Sequence, residues 1–171
     1  MLQTPRLRLR RATADDLAAL HAVFSQPRAM RYWSRPAHES LAPTEAYLAE
    51  MLAAERADDF VVEFEGRVIG KAGAWRLPEI GFILHPDHWG KGLAREALMA
   101  VIDHLFASHP VAALTADVDP RNARCLRLLA GLGFAETHRA VRTLQWADEW
   151  CDSVYLALPR KVWAAAARPR G

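Results

Sequence analysis

Pro78-Glu79-Ile80-Gly81-Phe82-Ile83-Leu84-His85-Pro86-Asp87-His88-Trp89-Gly90-Lys91-Gly92-Leu93-Ala94 reads as a strand, a loop and a helix start in immediate succession. Glu79 to Leu84 has strand composition, and it ends at His85-Pro86-Asp87 because Pro86 has no amide proton to give a ladder. Ala94, Ala97, Leu98, Val101, Ile102 and Leu105 then recur on one helical face up to Pro110. Between strand and helix stand Gly90 and Gly92, so the backbone can approach a ligand closely while several unpaired N–H groups point the same way. The helix dipole and these donors favour phosphate oxygens, and Lys91 and Arg95 add positive charge in the same turn. The stretch is an anion site that suits a pyrophosphate.

Two familiar glycine-rich phosphate loops do not fit it. A Walker loop needs a glycine five positions before Gly90, where His85 stands, and a Ser or Thr for magnesium at Gly92. A dinucleotide fingerprint needs a third glycine or alanine where Arg95 stands, and an acidic ribose partner about 20 residues on, where Val111 to Thr115 offers none.

Working outward, Leu7 and Leu9 alternate with Arg6, Arg8 and Arg10, which predicts a half-buried strand over Thr4 to Arg10. Thr13 caps a helix carrying Leu17, Leu20 and Phe24 that stops near Pro27. Met30 to Pro36 has no clean period and reads as a loop or short turn. A second helix begins around Pro43 and continues through Tyr47, Leu48, Met51 and Leu52. Asp59 to Glu65 and Val68 to Trp75, joined at Gly66, form a hairpin. After the long helix, Val111 to Val118 is a strand, and Asp119-Pro120 opens a helix striped by Cys125, Leu128, Leu129 and Leu132 and ended by Gly131 and Gly133. Strands at about Ala135 to Trp146 and Ser153 to Leu158 follow, separated by a turn at Asp148-Glu149. No repeat, linker or composition break divides the chain, so one α/β domain over residues 1–171 is expected, with about 164–171 as a frayed tail.

Composition excludes several classes. The net charge is +2 and the 22 basic residues are spread along the chain, so no nucleic-acid footprint is demanded. Cys125 and Cys151 have no metal-like spacing and point to a reducing compartment without a disulfide. There is no leader-like start and no run of ~20 apolar residues, so a cytoplasmic protein without a membrane partner is expected. His85 and His88 on one loop, without further ligands, read as surface residues, and no metal is expected.

The glycine loop resembles the first cofactor motif of the GNAT N-acetyltransferase superfamily, Gln/Arg-x-x-Gly-x-Gly/Ala, written here Trp89-Gly90-Lys91-Gly92-Leu93-Ala94. Trp89 departs from Gln/Arg in a way similar to the branch of ribosomal-protein N-terminal acetyltransferases, as does Glu79-Ile80-Gly81-Phe82. Asn122-Ala123-Arg124-Cys125, continuing to Gly133-Phe134, resembles the family's second cofactor segment. Thr4-Pro5-Arg6-Leu7-Arg8-Leu9-Arg10 and Trp150-Cys151-Asp152-Ser153-Val154-Tyr155 are also similar to that branch, so the likeness covers nearly the whole chain.

The resemblance implies a GNAT fold, a central mixed, mostly antiparallel sheet of about six to seven strands flanked by helices. It implies acetyl-CoA as co-substrate, with Trp89, Gly90, Lys91, Gly92, Leu93, Ala94 and Arg95 at the pyrophosphate, Phe82, Ile83 and Leu84 presenting backbone N–H groups to the thioester, and Asn122 touching the cofactor. Glu79 matches the position of a general-base glutamate in several members; the alternative is a solvated charge at a strand edge. Cys125 stands where the branch has Ser and can protonate the leaving thiolate; the alternative is a small hydrophobe on a helical stripe. The tyrosine acid found seven residues after the asparagine in many members is Leu129 here. The implied activity is acetyl transfer to a primary amine, an N-terminal α-amine of a protein or a small amine such as a polyamine, amino acid or antibiotic; a non-catalytic acyl-CoA-binding module is the alternative. Trp33, Trp75 and Trp146 either border an acceptor cleft or pack in the core. Oligomeric state, including a homodimer, stays open.

Overall fold

The computed structural model describes residues 1–53, 58–146 and 149–166. Eight strands form one sheet: β1 (Leu2–Gln3), β2 (Leu7–Arg11), β3 (Asp59–Phe64), β4 (Arg67–Arg76), β5 (Glu79–Leu84), β6 (Ala113–Val118), β7 (Ala135–Trp146) and β8 (Glu149–Pro159). Their order across the sheet is β1-β2-β3-β4-β5-β6-β8-β7. Every neighbouring pair is antiparallel except β5 and β6. The mixed, mostly antiparallel α/β sheet that the resemblance implies is therefore present, with eight strands instead of about six to seven. The additional one is the two-residue β1, too short to show a period.

The period-two pattern of the strands sends alternate residues to two cores. Leu7, Leu9, Phe60, Val62, Ile80 and Leu84 pack on one face with α4 (Leu93–Ser108), through Ala97, Leu98, Val101, Ile102 and Leu105. Val61 and Ile83 point the other way, against α1 (Leu17–Phe24) and α3 (Leu41–Leu52), where Leu20, Phe24, Tyr47 and Met51 close the second core. No helix among the described residues is long and apolar enough to cross a membrane.

The parallel pair decides where a ligand can enter. β5 and β6 share one register position, Glu79↔Thr115, beside which the Thr115 N–H donates to the Pro78 carbonyl at 2.9 Å. Past that point no pair joins them, and the strands part toward Leu84 and Val118. The edge of β5 from Gly81 to Leu84 therefore faces a gap rather than a neighbouring strand.

Several local expectations change. Pro27 does stop α1, yet it also occupies the first turn of α2 (Pro27–Met30), a position where its missing N–H costs nothing. The helix after β6, α5 (Ala123–Ala130), is capped by Asn122, whose side chain accepts the Cys125 N–H at 3.1 Å. Asp119 instead accepts the Arg121 N–H at 2.8 Å, closing a turn before the helix. The tail is helical where fraying was expected at 164 and 165: α6 (Arg160–Ala165) is tied down by Arg160 on the Val111, Phe106 and His109 carbonyls and by the Trp163 indole on Asp103 at 2.7 Å. Asp148, the Trp146 side chain and residues 167–171 lie outside the described residues.

Candidate active site

Two clefts open along β5. The first, of about 620 Å³, lies in the gap between β5 and β6 and is lined by Phe82, Ile83 and Leu84, by Trp89 to Ala94 except Lys91, and by Arg95, Asn122 and Cys125. All the residues expected at the cofactor therefore meet in one place, apart from Lys91. The Lys91 side chain is exposed, and its carbonyl accepts Arg6 Nη1 at 2.8 Å.

Gly90 and Gly92 both have φ of 76°, the left-handed region that L side chains avoid, and Gly92 is the N-cap of α4. Nothing lies within 4 Å of where a Cβ on Gly90 would sit, so the loop backbone is bare on its ligand side. Free N–H groups of the first helical turn, an exposed glycine backbone and Arg95 make the donor set that phosphate oxygens require, so these residues fit the pyrophosphate of acetyl-CoA. Trp89, at the Gln/Arg position of the motif, donates its indole N–H to the Leu84 carbonyl at 2.8 Å. That bond ties the loop back to the end of β5 and fixes the floor of the cleft.

The second cleft, of about 590 Å³, lies on the α1–α3 side of the sheet. Glu79 and Gly81 of β5 and Asp117 of β6 line it, with Trp33, Trp75 and Tyr155 as aromatic walls. Trp33 and Trp75 stand 3.8 and 3.9 Å from where a Cβ on Gly81 would be. Trp75 also donates its indole N–H to Glu79 Oε1 at 3.1 Å. Asp117 keeps one side open to solvent; burial of the other, with the nearby Asp119 charge, raises its pKa against a hydrogen bond from Ser153. The segment Arg31-Tyr32-Trp33 lines both clefts and so forms their common roof.

Beneath this cleft is a pair that sequence reading missed. Lys71, in the middle of β4, is fully buried, with Nζ 2.7 Å from Asp59 Oδ1 and 3.0 Å from the Tyr47 hydroxyl. Burial acts to lower the Lys71 pKa, and the Asp59 charge with Tyr47 more than offsets it, so the side chain stays a cation. A lysine flanked by Gly70 and Ala72 in the apolar middle of a strand is the available signal; its partner Asp59 is fixed only by strand pairing, two positions from the Val61↔Lys71 register.

Cys125 lines the first cleft, but burial pushes its thiol up to about 12. Passing that proton to a thiolate of ordinary pKa about 8.5 is uphill by roughly 5 kcal/mol, which suits a wall better than an acid. His85 and His88, expected on the surface, are half-buried: the His88 ring packs edge-on to Phe64 at 5.8 Å, and burial followed by the Lys91 charge lowers its pKa. Among the described residues no group of three or more His, Cys, Asp or Glu is placed to hold a metal ion.

Residues 6–135 match the acetyltransferase (GNAT) domain. The chain belongs to the GNAT acetyltransferase family. Among relatives of this GNAT protein, an uncharacterized N-acetyltransferase p20 of Bacillus licheniformis is 29% identical over 78% of the chain and 81% of its own length. The spermidine N(1)-acetyltransferase of Escherichia coli is 28% identical over 75% of the chain and 73% of its own length. Of solved structures, Mycobacterium smegmatis RimJ in complex with CoA-disulfide superimposes with a TM-score of 0.77 at 23% identity, over 91% of this chain and 82% of that one. That likeness carries the fold.

Proposed function

We propose that this GNAT protein transfers the acetyl group of acetyl-CoA to a primary amine by direct attack, with the cofactor in the gap between β5 and β6 and the amine in the cleft under Trp33 and Trp75. The observation that carries the reading is the meeting of the two clefts along β5: Phe82 to Leu84 line one, Glu79 to Gly81 the other, and one roof covers both. Acetyl-CoA supplies an activated acyl thioester. The chain supplies loop amides that hold the pyrophosphate, β5 backbone N–H groups for charge developing on the thioester oxygen, and Glu79, which takes the ammonium proton directly or through water. Cys125 shapes the wall, and water protonates the departing sulfur.

An amine bearing a further positive charge suits the lining best: of the cleft's cations Lys71 is matched by Asp59 and Arg35 by Glu50, which leaves Arg31 and Arg76 against Glu79, Asp117 and Asp152. The spermidine-specific name of the Escherichia coli relative supports that class. The room in a 590 Å³ cleft favours, as the second reading, a protein N-terminal α-amine. Its pKa of about 8 makes deprotonation at pH 7 cost roughly 1.4 kcal/mol, against roughly 4.6 for an amine at about 10.4.

Glu79→Gln tests the base. It keeps the Trp75 contact possible and removes the proton acceptor, so kcat/KM at pH 7 is expected to fall about a hundredfold, within the usual range for general-base loss. The deficit should narrow as pH rises toward the amine pKa, where the free amine no longer needs help. Full rate with an unshifted pH profile would remove Glu79 from the mechanism.

A further inference from the structure

Two guanidinium groups from different elements meet on one indole at the first cleft. Arg28 of α2 stands 5.7 Å and Arg124 of α5 stands 5.1 Å from the centre of the Trp89 ring, and all three side chains line the cleft that holds the glycine loop. Trp89 cannot follow them elsewhere, because its N–H is bound to the Leu84 carbonyl. Among the described residues neither guanidinium has a carboxylate within ion-pair distance, unlike Arg6, Arg10, Arg121 and Arg139, which are all paired. Two like charges are thus gathered beside an anion loop with no carboxylate among the described residues to neutralise them. The indole holds both through its π face.

We propose that Arg28 and Arg124, seated on Trp89, form a phosphate clamp that closes on the phosphate-bearing end of acetyl-CoA from both sides of the gap. This rests on the acetyl-CoA reading above and deepens it. It also accounts for the departure at Trp89: where the family motif has a side chain able to donate to phosphate itself, this chain has an aromatic platform that presents two planar, multiply donating guanidiniums recruited from α2 and α5. A guanidinium matches phosphate with paired N–H donors, which a lysine at the same place does not. Arg28 stands three residues before Arg31, where the roof segment begins, so engagement of phosphate would also seat Tyr32 and Trp33 over the junction of the clefts.

The test is calorimetric titration of the wild type, Arg28→Gln, Arg124→Gln and the double variant with acetyl-CoA, 3′-dephospho-acetyl-CoA and acetyl-pantetheine. Both arginines are exposed, so the variants should fold like the parent, which circular dichroism checks. Each single change is expected to weaken acetyl-CoA about tenfold, the double about thirtyfold or more, with Arg→Lys recovering only part. Acetyl-pantetheine, which has no nucleotide phosphates, should bind all four proteins alike. If the double variant loses affinity for acetyl-CoA and 3′-dephospho-acetyl-CoA equally, the clamp acts on the pyrophosphate; if only acetyl-CoA is affected, it acts on the 3′-phosphate. Affinity for acetyl-CoA within twofold of wild type in the double variant would overturn the proposal, as would an equal loss for acetyl-pantetheine. Failure of the wild type itself to bind acetyl-CoA would instead overturn the underlying reading of the cleft.

Discussion

Gly92→Glu is expected to raise the Kd for acetyl-CoA at least about a hundredfold, a loss of roughly 2.7 kcal/mol or more. Two effects add. At φ of 76° any L side chain is strained by about 1–2 kcal/mol, and the new carboxylate would stand at the positive end of the α4 dipole, where the proposed pyrophosphate must lie. Gly92→Ala separates them. Its Cβ would meet only Arg6 Nη2, at 3.4 Å, the end of a flexible side chain, so it carries the backbone strain without the charge and should lose about tenfold. Calorimetry with acetyl-CoA reads both; equal affinities for the wild type and Gly92→Glu would show that the loop does not hold the cofactor.

Asp59→Ala is expected to be the most damaging single change to stability. It leaves the Lys71 ammonium buried without its counter-charge, which typically costs about 3–5 kcal/mol. For a chain of this size that corresponds to a fall in Tm of about 10 °C. Replacing both partners by apolar residues, Lys71→Met with Asp59→Leu, should recover most of the loss, because the desolvation cost of both charges disappears together. Thermal unfolding of the single and double variants decides it. A single variant as stable as the wild type would mean that Lys71 sheds its proton or reaches water when Asp59 is gone. The pair lies under the proposed acceptor cleft, with Nζ 5.7 Å from the Trp33 ring and 5.5 Å from the Tyr47 ring, so the double variant also reports whether the buried cation holds that aromatic wall in place.

Much of this was legible from local pattern. The Glu79–Leu84 strand, the long amphipathic helix and the two glycines between them are short-range features, and the structure places them with the expected boundaries to within a residue. The Asn122 segment was legible as a motif, although its cap was assigned to Asp119, since Asp-Pro is an equally good helix opener and only the turn Asp119–Asn122 distinguishes the two. What could not be read is whatever depends on distant parts of the chain coming together. The Asp59–Lys71 pair requires the β3–β4 register, the second cleft requires β6 and β8 to follow β5 across the sheet, and the gathering of Arg28 and Arg124 on Trp89 requires α2 and α5 to converge beside the β5–β6 split, which no single segment encodes. The split itself is legible only in pairing: a strand that is parallel to its neighbour at one position and free beyond it has the same sequence period as one paired throughout.

The account turns on the two clefts working as one reaction site, and thiol release measures that directly. Protein, acetyl-CoA and a panel of acceptors, diamines and peptides beginning with Ala or Ser, are followed for free CoA thiol, with the N-acetyl product identified by mass. The account predicts thiol release that depends on the amine, matches the acetylated product one for one, and falls about a hundredfold at pH 7 in Glu79→Gln. Tight binding of acetyl-CoA without amine-dependent thiol release from any member of the panel would contradict it, and would make the protein an acyl-CoA-binding module on an acetyltransferase fold.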